Sequence, residues 1–318
     1  MTPVGQQERQ DEFESLRPHL LAVAYRLTGS FSDAEDMVQD AWLRWAAGNR
    51  GEIADFRAWL TTVVSRLSLD WLRSATHRRE TYVGDWLPEP VVVDVGSDDP
   101  LAAVVASEDA RFAAMVVLER LSPDQRVAFV LHDGFGVGFA DVADVLGTSA
   151  AAARQLASRA RRAVADGSAP PRDPVHDEVV GRLMAAIAAG NIDEAVKLLH
   201  PDVTFTGDAN RRAPTAPRPI VGSEKVARFM LGLARRYGPR FFTATRLALV
   251  NGELGSYTEG LPADSDYPDM AAHVIAMTVR DGAVWAIWDV ANPDKFTGTP
   301  LGGAVPEQPR APGTRPPN

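Results

Sequence analysis

The sequence predicts a multidomain protein in which two all-α helical domains precede an α+β domain. Three observations lead to this fold class. Apolar residues recur at spacings of three and four through most of residues 10–164, which is the period of an amphipathic helix. Two proline-containing segments without a helical period interrupt the pattern. Beyond residue 174, helical stretches give way to alternating strands joined by Asn-Gly and Asp-Gly, the strongest short hairpin signal.

These changes in pattern divide the 318 residues into six parts. We expect a helical domain at 1–80, a linker at 81–109, a second helical domain at 110–166, a short linker at 167–174, an α+β domain at 175–297 and a disordered tail at 298–318. A chain of this length is long enough for each domain to bury its own core.

Three helices are predicted in the first domain. The first apolar stripe begins at Phe13 and is broken at Thr28-Gly29-Ser30. Ser32, with Glu35 three residues later, has the pattern of a capping box that opens a second helix. A third helix is predicted over 55–79, with arginines near its end.

The second helical domain contains the pattern of a helix–turn–helix. Ser122-Pro123 marks a helix start, with serine as N-cap and proline at the first helical position. A short helix is then predicted over 139–146 and a longer one over 150–164. The turn Gly147-Thr148-Ser149 joins them, and two helices joined by a short turn containing glycine are typical of this motif.

The third domain begins with helices and continues with strands. Helices are predicted over 175–190, 192–199 and 224–237. Strands are predicted over 203–206, 241–250, 254–259, 273–280 and 284–290, with hairpin turns at Asn251-Gly252 and Asp281-Gly282.

Composition excludes several classes of protein. The chain contains no cysteine, so disulfides, thiolate metal sites and a cysteine nucleophile are excluded. We expect neither a cofactor nor a metal ion. The first fifteen residues are polar and acidic, unlike a signal peptide, and no stretch approaches 18 consecutive apolar residues. We therefore expect a cytoplasmic protein with no membrane partner.

The net charge of −9 argues at first against nucleic-acid binding, because phosphate contacts need positive charge. The charge is segregated, however. Acidic residues crowd 33–40, which suits a basic protein partner. Four arginines and no acid occupy 154–162, on the second helix of the predicted helix–turn–helix. The arginines are therefore concentrated where DNA contact is expected.

In a DNA-binding helix–turn–helix, the second helix enters the major groove. Ala150, Ala151 and Ala152 would permit its close approach. Donors to base edges and phosphates would come from Arg154, Gln155, Ser158, Arg159 and Arg162. The alternative is an ordinary helical hairpin whose arginines are only solvated.

Several consecutive motifs resemble one family. The segments DAEDMVQDAWLRW, FRAWLTTVVSRLSLDWLR and the stretch from LSPDQ to RARRAV, in this order, resemble regions 2 and 4 of an extracytoplasmic-function (ECF) sigma factor of the sigma-70 family. This covers residues 10–165, about half the chain. WLPEP in the linker, an α+β domain and NPDKF at its end are similar to the SigJ-like sub-group, which has a fused C-terminal SnoaL-like domain.

The resemblance implies partners and residue roles. The partners are core RNA polymerase (β and β′ subunits) and promoter DNA. The residues that fall in the polymerase-binding helix are Asp33, Glu35, Asp36, Gln39, Asp40 and Trp42. Those that fall in the loop and helix recognising the −10 element are Asn49, Arg50, Asp55, Arg57, Trp59, Thr61, Thr62, Ser65, Arg66 and Arg73. Those reading the −35 element are the helix–turn–helix residues given above.

A regulatory contact is the further implication of the fused domain. The sequence predicts that two proline-containing segments meet across the domains and control activity: Trp86, Leu87, Pro88, Glu89 and Pro90 in the linker, with Asn292, Pro293, Asp294, Lys295 and Phe296 near the C-terminus. Two departures from the family pattern stand out. Leu156 replaces a common arginine, and residues 207–212 replace a DGGG-type glycine-rich motif.

Two other functions are compatible with the pattern. One is a helix–turn–helix regulator that acts without polymerase and senses a ligand in its third domain, where Phe205, Phe242, Trp285 and Trp288 are candidates for an apolar pocket. The other is a SnoaL-type isomerase or cyclase, with acid and base candidates His200, Asp202, Asp208, His273 and Asp289. We expect a binding function and no catalysis.

Overall fold

A computed structural model describes residues 3–47, 53, 55–79, 82–96, 104–105, 110–166 and 172–303. The helices of the first domain are α1 (Pro3–Thr28), α2 (Phe31–Ala47) and α3 (Phe56–Arg79). Those of the second are α4 (Phe112–Leu118), α5 (Pro123–Phe129, continued by one π-helical turn over Val130–Gly134), α6 (Phe139–Leu146) and α7 (Ala150–Asp166). The two all-α domains are therefore present as expected.

The first domain is a three-helix bundle around the apolar stripes of α1, α2 and α3. Leu20, Val38 and Leu60 lie in its core and are fully buried. The N-cap of α2 is Ser30, whose hydroxyl accepts the backbone N–H of Asp33 at 3.1 Å. The prediction of Ser32 with Glu35 as the capping box was wrong, because α2 begins one residue before Ser32.

The second domain has the predicted N-cap at Ser122 and the predicted turn after α6. Ser122 and Gln125 form a reciprocal capping box at the start of α5. Gly147 ends α6 in the left-handed conformation, with φ of 65°, where a side chain would be strained. Ser149 begins α7 by accepting the backbone N–H of Ala152 at 3.2 Å. The cap at Ser122 and the turn at Gly147 were readable from the sequence because each acts within four residues.

The two helical domains share one core. Helix α3 packs against α5 and α6, and the buried cluster runs from Leu60 and Val64 in the first domain to Val127 and Val142 in the second. The continuous buried cluster therefore joins the two helical domains in this structure.

The third domain contains helices α8 (His176–Ala188), α9 (Ile192–Leu198), α10 (Ser223–Tyr237) and α11 (Pro239–Ala244). Its strands are β2 (Leu199–Asp208), β3 (Ile220–Val221), β4 (Thr245–Val250), β5 (Glu253–Thr258), β6 (His273–Arg280) and β7 (Ala283–Val290). The seven-stranded sheet has the order β1-β4-β5-β6-β7-β2-β3, where β1 (Val92–Val93) comes from the linker. Only the β2–β7 pair is parallel.

Both predicted hairpins are confirmed. Asn251-Gly252 joins β4 to β5 and Asp281-Gly282 joins β6 to β7, and all four residues have positive φ. This conformation is the one that two-residue hairpin turns require.

The predicted strand over 241–250 is half helix. Gly238-Pro239 ends α10 and starts α11, and the strand begins only at Thr245. Proline at the first helical position favours a new helical turn over an extended strand. Strand β2 is longer than predicted and spans Leu199–Asp208.

The linker and the start of the tail are more ordered than predicted. Val92 and Val93 pair with Val250 and Leu249 at one edge of the sheet. The N–H of Val92 also donates to the carbonyl of Gly298 at 2.8 Å, and Leu301 is buried. Burial of the apolar Val91–Val93 run supplies a reason for this order. Residues 304–318 of the tail lie outside the described residues.

Candidate functional site

The acidic helix α2 presents only part of its predicted binding set to solvent. Asp36, Gln39 and Asp40 are exposed. Asp33 accepts the indole N–H of Trp71 at 2.8 Å and Glu35 pairs with Arg17, at 3.4 Å. The sixth residue of the set, Trp42, is half-buried against the ring of Phe13. The accessible anionic surface is therefore narrower than the predicted set.

Helix α3 carries most of the residues predicted to recognise the −10 element. Arg57, Arg66 and Arg73 are exposed, whereas Thr62 and Trp59 are half-buried. Asp55 caps the helix by accepting the N–H of Ala58 at 2.9 Å, so its carboxylate is used locally. Asn49 and Arg50 lie outside the described residues.

Two members of this set, Thr61 and Ser65, are buried in this structure and do not lie on an exposed face of α3. Thr61 is 7% exposed and Ser65 is fully buried. Their hydroxyls donate to the carbonyls of Arg57 and Thr61, one turn earlier. Helical spacing places both on the stripe of Leu60 and Val64, which faces the core.

The second helical domain covers the outer face of α3. Arg66 Nη2 lies 2.8 Å from a carboxylate oxygen of Asp144 in α6, and Arg73 Nη2 lies 3.0 Å from one of Asp124 in α5. Both pairs are half-exposed, so each contributes at most about 1 kcal/mol. In this arrangement two predicted DNA-binding arginines are occupied by acidic side chains of the other helical domain.

His19 of α1 reinforces this interface. Its Nδ1 accepts from Arg57 Nη2 at 3.1 Å, and its Nε2 lies 3.1 Å from the Thr61 hydroxyl. The Thr61 hydroxyl donates elsewhere, so Nε2–H is the donor to it. The ring also makes an edge contact with Phe135 of the second helical domain. Burial, and then the charges of Arg57 and Arg26, lower the pKa of His19 to about 4.

This pKa predicts a pH dependence. An unfolded histidine titrates near pH 6.5, about 2.5 units above His19 in the folded protein. Between pH 6.5 and about pH 4, the unfolded state therefore binds more protons than the folded state. The free energy of unfolding consequently decreases as the pH falls through this range. Below about pH 6.5, we expect the free energy of unfolding to decrease less for His19→Gln than for the unsubstituted protein. Urea denaturation across the window measures it, and a His200→Gln control should keep the original slope.

Helix α7, the second helix of the helix–turn–helix, is accessible. Ala151, Arg154, Gln155, Arg159 and Arg162 are exposed, while Ala150 and Ser158 are half-buried. Its inner face, formed by Ala153, Ala157 and Ala160, packs fully buried against the rest of the domain. Leu156, at the position of the missing arginine, is half-buried against the same core. The small inner residues let α7 lie close to α5 and α6 while its arginines point outward.

The linker contacts a buried ion pair of the third domain. Lys295 Nζ lies 2.7 Å from Asp208 Oδ2, and both side chains are almost fully buried. The ammonium group also donates to the carbonyl of Leu87 and lies 3.5 Å from the ring centroid of Trp86. Burial lowers the pKa of Lys295, while the charge of Asp208 opposes this. These contacts bring the WLPEP and NPDKF segments together.

Asp208 lies at the centre of a group of residues that we name the interdomain cluster. Its members are Tyr82, Trp86, Leu87, Asp208, Asn292 and Lys295. Asp208 accepts the hydroxyl of Tyr82 and the N–H of Leu87, the latter at 2.7 Å. Asn292 Nδ2 donates to the Tyr82 oxygen at 3.1 Å. Asp208 falls in the segment that replaces the glycine-rich motif. The sequence suggested it only as an acid or base candidate, whereas the structure uses it as the acceptor for the linker.

The same linker segment is anchored to the first domain through Glu89. Its Oε2 accepts the N–H groups of Phe31 and Ser32 at 2.5 and 3.1 Å, at the start of α2. Its Oε1 accepts the hydroxyls of Ser30 and Ser32 at 3.2 and 3.1 Å. These N–H groups have no partner within the helix, so Glu89 caps α2 from outside it. One pentapeptide thus contacts the third domain through Leu87 and the acidic helix through Glu89.

Sequence reasoning missed a second contact between domains, at Asn251. This hairpin residue is fully buried. Its side-chain oxygen accepts the N–H of Val91 at 3.0 Å, and its Nδ2 donates to the Tyr25 hydroxyl and the Ala110 carbonyl at 2.8 and 2.7 Å. Tyr25 donates in turn to the carbonyl of Glu89. An Asn-Gly pair predicts a turn, and nothing in the local sequence indicates that the turn is buried.

Two negative findings apply to the described residues alone. No group of three or more His, Asp or Glu side chains there is arranged to hold a metal ion. No helix within those ranges is both long and apolar enough to cross a membrane.

Comparison with known proteins identifies the family. The Sigma-70 region 2 family matches residues 13–78 and the Sigma-70, region 4 family matches residues 111–164. The ECF RNA polymerase sigma factor SigJ of Mycobacterium tuberculosis is 70% identical over 296 residues, which cover 91% of this chain and 94% of the relative. The chain belongs to the ECF sigma factors. Its two helical domains are therefore sigma regions 2 and 4.

A solved structure of SigJ and one further relative support the assignment of this sigma factor. The crystal structure of M. tuberculosis SigJ superimposes with a TM-score of 0.82 at 68% identity, covering 92% of this chain and 99% of that one. ECF sigma factor SigG of the same species is 31% identical over 314 residues, covering 85% of this chain and 82% of the relative. Both comparisons extend into the C-terminal domain of the sigma factor. These relatives are named as RNA polymerase sigma factors, so the alternative of a regulator that acts without polymerase is not favoured.

Proposed function

We propose that this sigma factor binds the β and β′ subunits of core RNA polymerase through the exposed acidic face of α2 and directs initiation at promoters recognised by α3 and α7. The exposure of Asp36, Gln39 and Asp40 supports the first part, because a surface of one charge sign suits a partner of the other. Such a role takes place in the cytoplasm, where the polymerase transcribes.

The −35 element would be read by α7. The exposed arginines and Gln155 can donate to base edges and phosphates, and Ala151 leaves room for the helix in the groove. The arginine-rich stretch of an otherwise acidic protein lies on this face of α7. Because the net negative charge of the chain opposes binding of the free protein to DNA, binding within a polymerase complex is favoured.

The −10 element would be read by α3 only after regions 2 and 4 separate. Arg66 and Arg73 are paired with region 4 acids, so DNA phosphates must compete with Asp144 and Asp124. We infer that the compact arrangement is a restrained state. Binding to polymerase and promoter would exchange these weak surface pairs for phosphate contacts, and it would also have to compensate for the apolar contacts of α3 with α5 and α6.

The C-terminal domain would control this opening in cis. The observation that carries the proposal is the double attachment of WLPEP, by Leu87 to the Lys295–Asp208 pair and by Glu89 to the start of α2. Thr297, just after NPDKF, also lines the groove that contains Asp36 and Gln39. Docking of the C-terminal domain is thereby coupled to both the polymerase-binding helix and the position of region 2.

In vitro transcription with core polymerase tests the proposal. On a promoter that the unsubstituted protein transcribes, we expect Arg154→Ala combined with Arg159→Ala to reduce transcript by about tenfold or more, since each good base contact is worth about 1–3 kcal/mol. On the same promoter with a scrambled −35 element, the double variant and the unsubstituted protein should give similar amounts of transcript. Arg228→Ala, at an exposed arginine of α10, is the matched control.

Two results would contradict the proposal. The first is transcription by the α7 variant equal to that of the control on the intact promoter. The second is no promoter-directed transcript from the unsubstituted protein across a genomic promoter library.

A further inference from the structure

The C-terminal domain encloses an apolar cavity that the sigma contacts do not use. Its volume is about 170 Å³, and it lies between one face of the sheet and helices α8, α10 and α11. Methionine and phenylalanine side chains dominate its walls: Met184, Phe205, Phe229, Met230, Phe241 and Met277. Of the four aromatic residues predicted to form a pocket, only Phe205 contributes. Trp285 and Trp288 lie on the opposite side of the sheet.

One wall of the cavity is polar and preorganised. His273 Nδ1 lies 2.7 Å from Asp289 Oδ1, and the Thr215 hydroxyl donates to Asp289 Oδ2 at 2.5 Å. Both carboxylate oxygens of Asp289 are thus occupied by the protein, and the side chain is buried. Asp289 therefore orients the imidazole and leaves Nε2 as the free position of the ring.

The charge of the cavity favours an anion. Burial lowers the pKa of His273, but the charge and hydrogen bond of Asp289 outweigh it, so the pKa is raised overall. A protonated His273 balances Asp289 and presents Nε2–H as a donor. Arg236 also lines the cavity, although the residue is exposed, and it adds a positive charge that has no counter-ion among the lining residues. A ligand carboxylate would provide that counter-ion.

The size of the cavity limits the ligand. In another protein, a cavity of about 150 Å³ lined by aliphatic and aromatic side chains binds benzene. The present cavity is slightly larger, which allows one aromatic ring and a small substituent. Methionine and aromatic walls suit the faces and edges of such a ring.

We propose that this cavity is a binding site for a compact aromatic carboxylic acid, whose ring contacts the methionine and phenylalanine walls and whose carboxylate accepts a hydrogen bond from His273 Nε2. Arg236 provides a second positive group for the carboxylate. Asp289 and Thr215 are positioning residues, because Asp289 holds the imidazole and Thr215 holds Asp289.

The site is structurally separate from the interdomain cluster. Along β6 and β7 the side chains alternate, so His273, Met277 and Asp289 face the cavity. Val274 and Val290, next to them in sequence, belong to the core on the other face, together with Leu87 and Phe296. Substitutions in the cavity therefore leave the sigma contacts intact, and a failure of this proposal is distinguishable from a failure of the transcriptional one.

Isothermal titration calorimetry on the full-length protein tests the proposal with two probes, benzoate and 3-phenylpropanoate. Their amides, benzamide and 3-phenylpropanamide, are the neutral controls. We expect at least one carboxylate to bind with a Kd of about 1 mM or tighter. It should bind about tenfold more tightly than its amide, since hydrogen bonds to charged groups are the stronger ones.

Three variants locate the site. Met230→Trp, which fills the cavity, should abolish binding, and His273→Gln should weaken carboxylate binding by about tenfold. His200→Gln is the matched control, because His200 stacks on Trp285 away from the cavity. If Met230→Trp does not fold, as judged by circular dichroism, the His273→Gln result decides. The proposal is overturned if neither carboxylate binds saturably, if the amides bind equally well, or if His273→Gln binds like His200→Gln.

Discussion

Replacing Lys295 with methionine is expected to lower the free energy of unfolding by about 3–5 kcal/mol, because it leaves the buried carboxylate of Asp208 without a charged partner. The carbonyl of Leu87 loses its donor in the same step. Methionine is apolar and similar in length, so little of the effect arises from lost packing. Urea denaturation followed by tryptophan fluorescence measures the change, since Trp86 lies against the ammonium group.

Two variants control this prediction. Lys197→Met removes a lysine of the same domain whose side chain is 72% exposed, and it should change stability by about 0.5 kcal/mol or less. Adding Asp208→Asn to Lys295→Met should recover much of the loss, because the uncompensated buried charge is then gone. A loss below about 1 kcal/mol for the single variant would show that the pair is not buried in solution.

Lys295→Met also tests whether the C-terminal domain controls transcription in cis. If the interdomain cluster restrains the opening of regions 2 and 4, Lys295→Met should increase transcription from an unchanged promoter. Asn292→Ala should have a smaller effect in the same direction, because it removes the hydrogen bonds to the Tyr82 oxygen and from the Asp294 N–H but leaves the buried ion pair in place. Transcription equal to that of Lys197→Met at matched protein concentration would refute the regulatory role of the cluster.

Glu89→Ala is expected to destabilise region 2 by about 2–4 kcal/mol. The truncation leaves the buried N–H of Phe31 and the N–H of Ser32 without an acceptor at the start of α2. Each buried donor left unsatisfied costs about 1–3 kcal/mol. Loss of helical circular dichroism on urea titration measures the effect, and the variant should also free the linker from region 2.

Glu89→Gln is the discriminating control. Burial raises the pKa of Glu89, although the N–H and hydroxyl donors oppose it, so the negative charge is itself costly. A glutamine oxygen can accept from both N–H groups while its amide donates to the hydroxyls of Ser30 and Ser32. We expect Glu89→Gln to stay within about 1 kcal/mol of the unsubstituted protein. An equal loss in both variants would mean that the charge, and not the hydrogen bonding, matters.

Local signals were predicted well because they depend on neighbouring residues. The cap at Ser122, the turn that begins at Gly147 and the two hairpins act within a few residues and were visible as patterns. The N-cap of α2 was predicted wrongly because a local pattern contains no information about distant residues. Ser30 and Ser32 are both acceptable N-caps, and the choice between them involves Glu89, which lies about sixty residues further along the chain.

Burial of particular side chains was harder to predict. Thr61 and Ser65 are polar residues in a helix expected to bind DNA, and they are nevertheless buried. Their hydroxyls are satisfied by carbonyls of the preceding turn, which removes the usual cost of burying a polar group. A helical period identifies the inner stripe only approximately, so polar residues at its border can lie on either side.

The sequence by itself determined the order of the domains, the helix–turn–helix and the family, because these rest on periodicity, short caps and consecutive motifs. The negative total charge also proved compatible with DNA binding once it was divided by segment. Only the tertiary structure decided how WLPEP connects the domains, that Asp208 and Asn251 are buried partners, and that region 4 covers α3. The physical reason is that each of these depends on pairs of residues far apart in the chain, whose free energies arise from desolvation and hydrogen bonding in the folded protein.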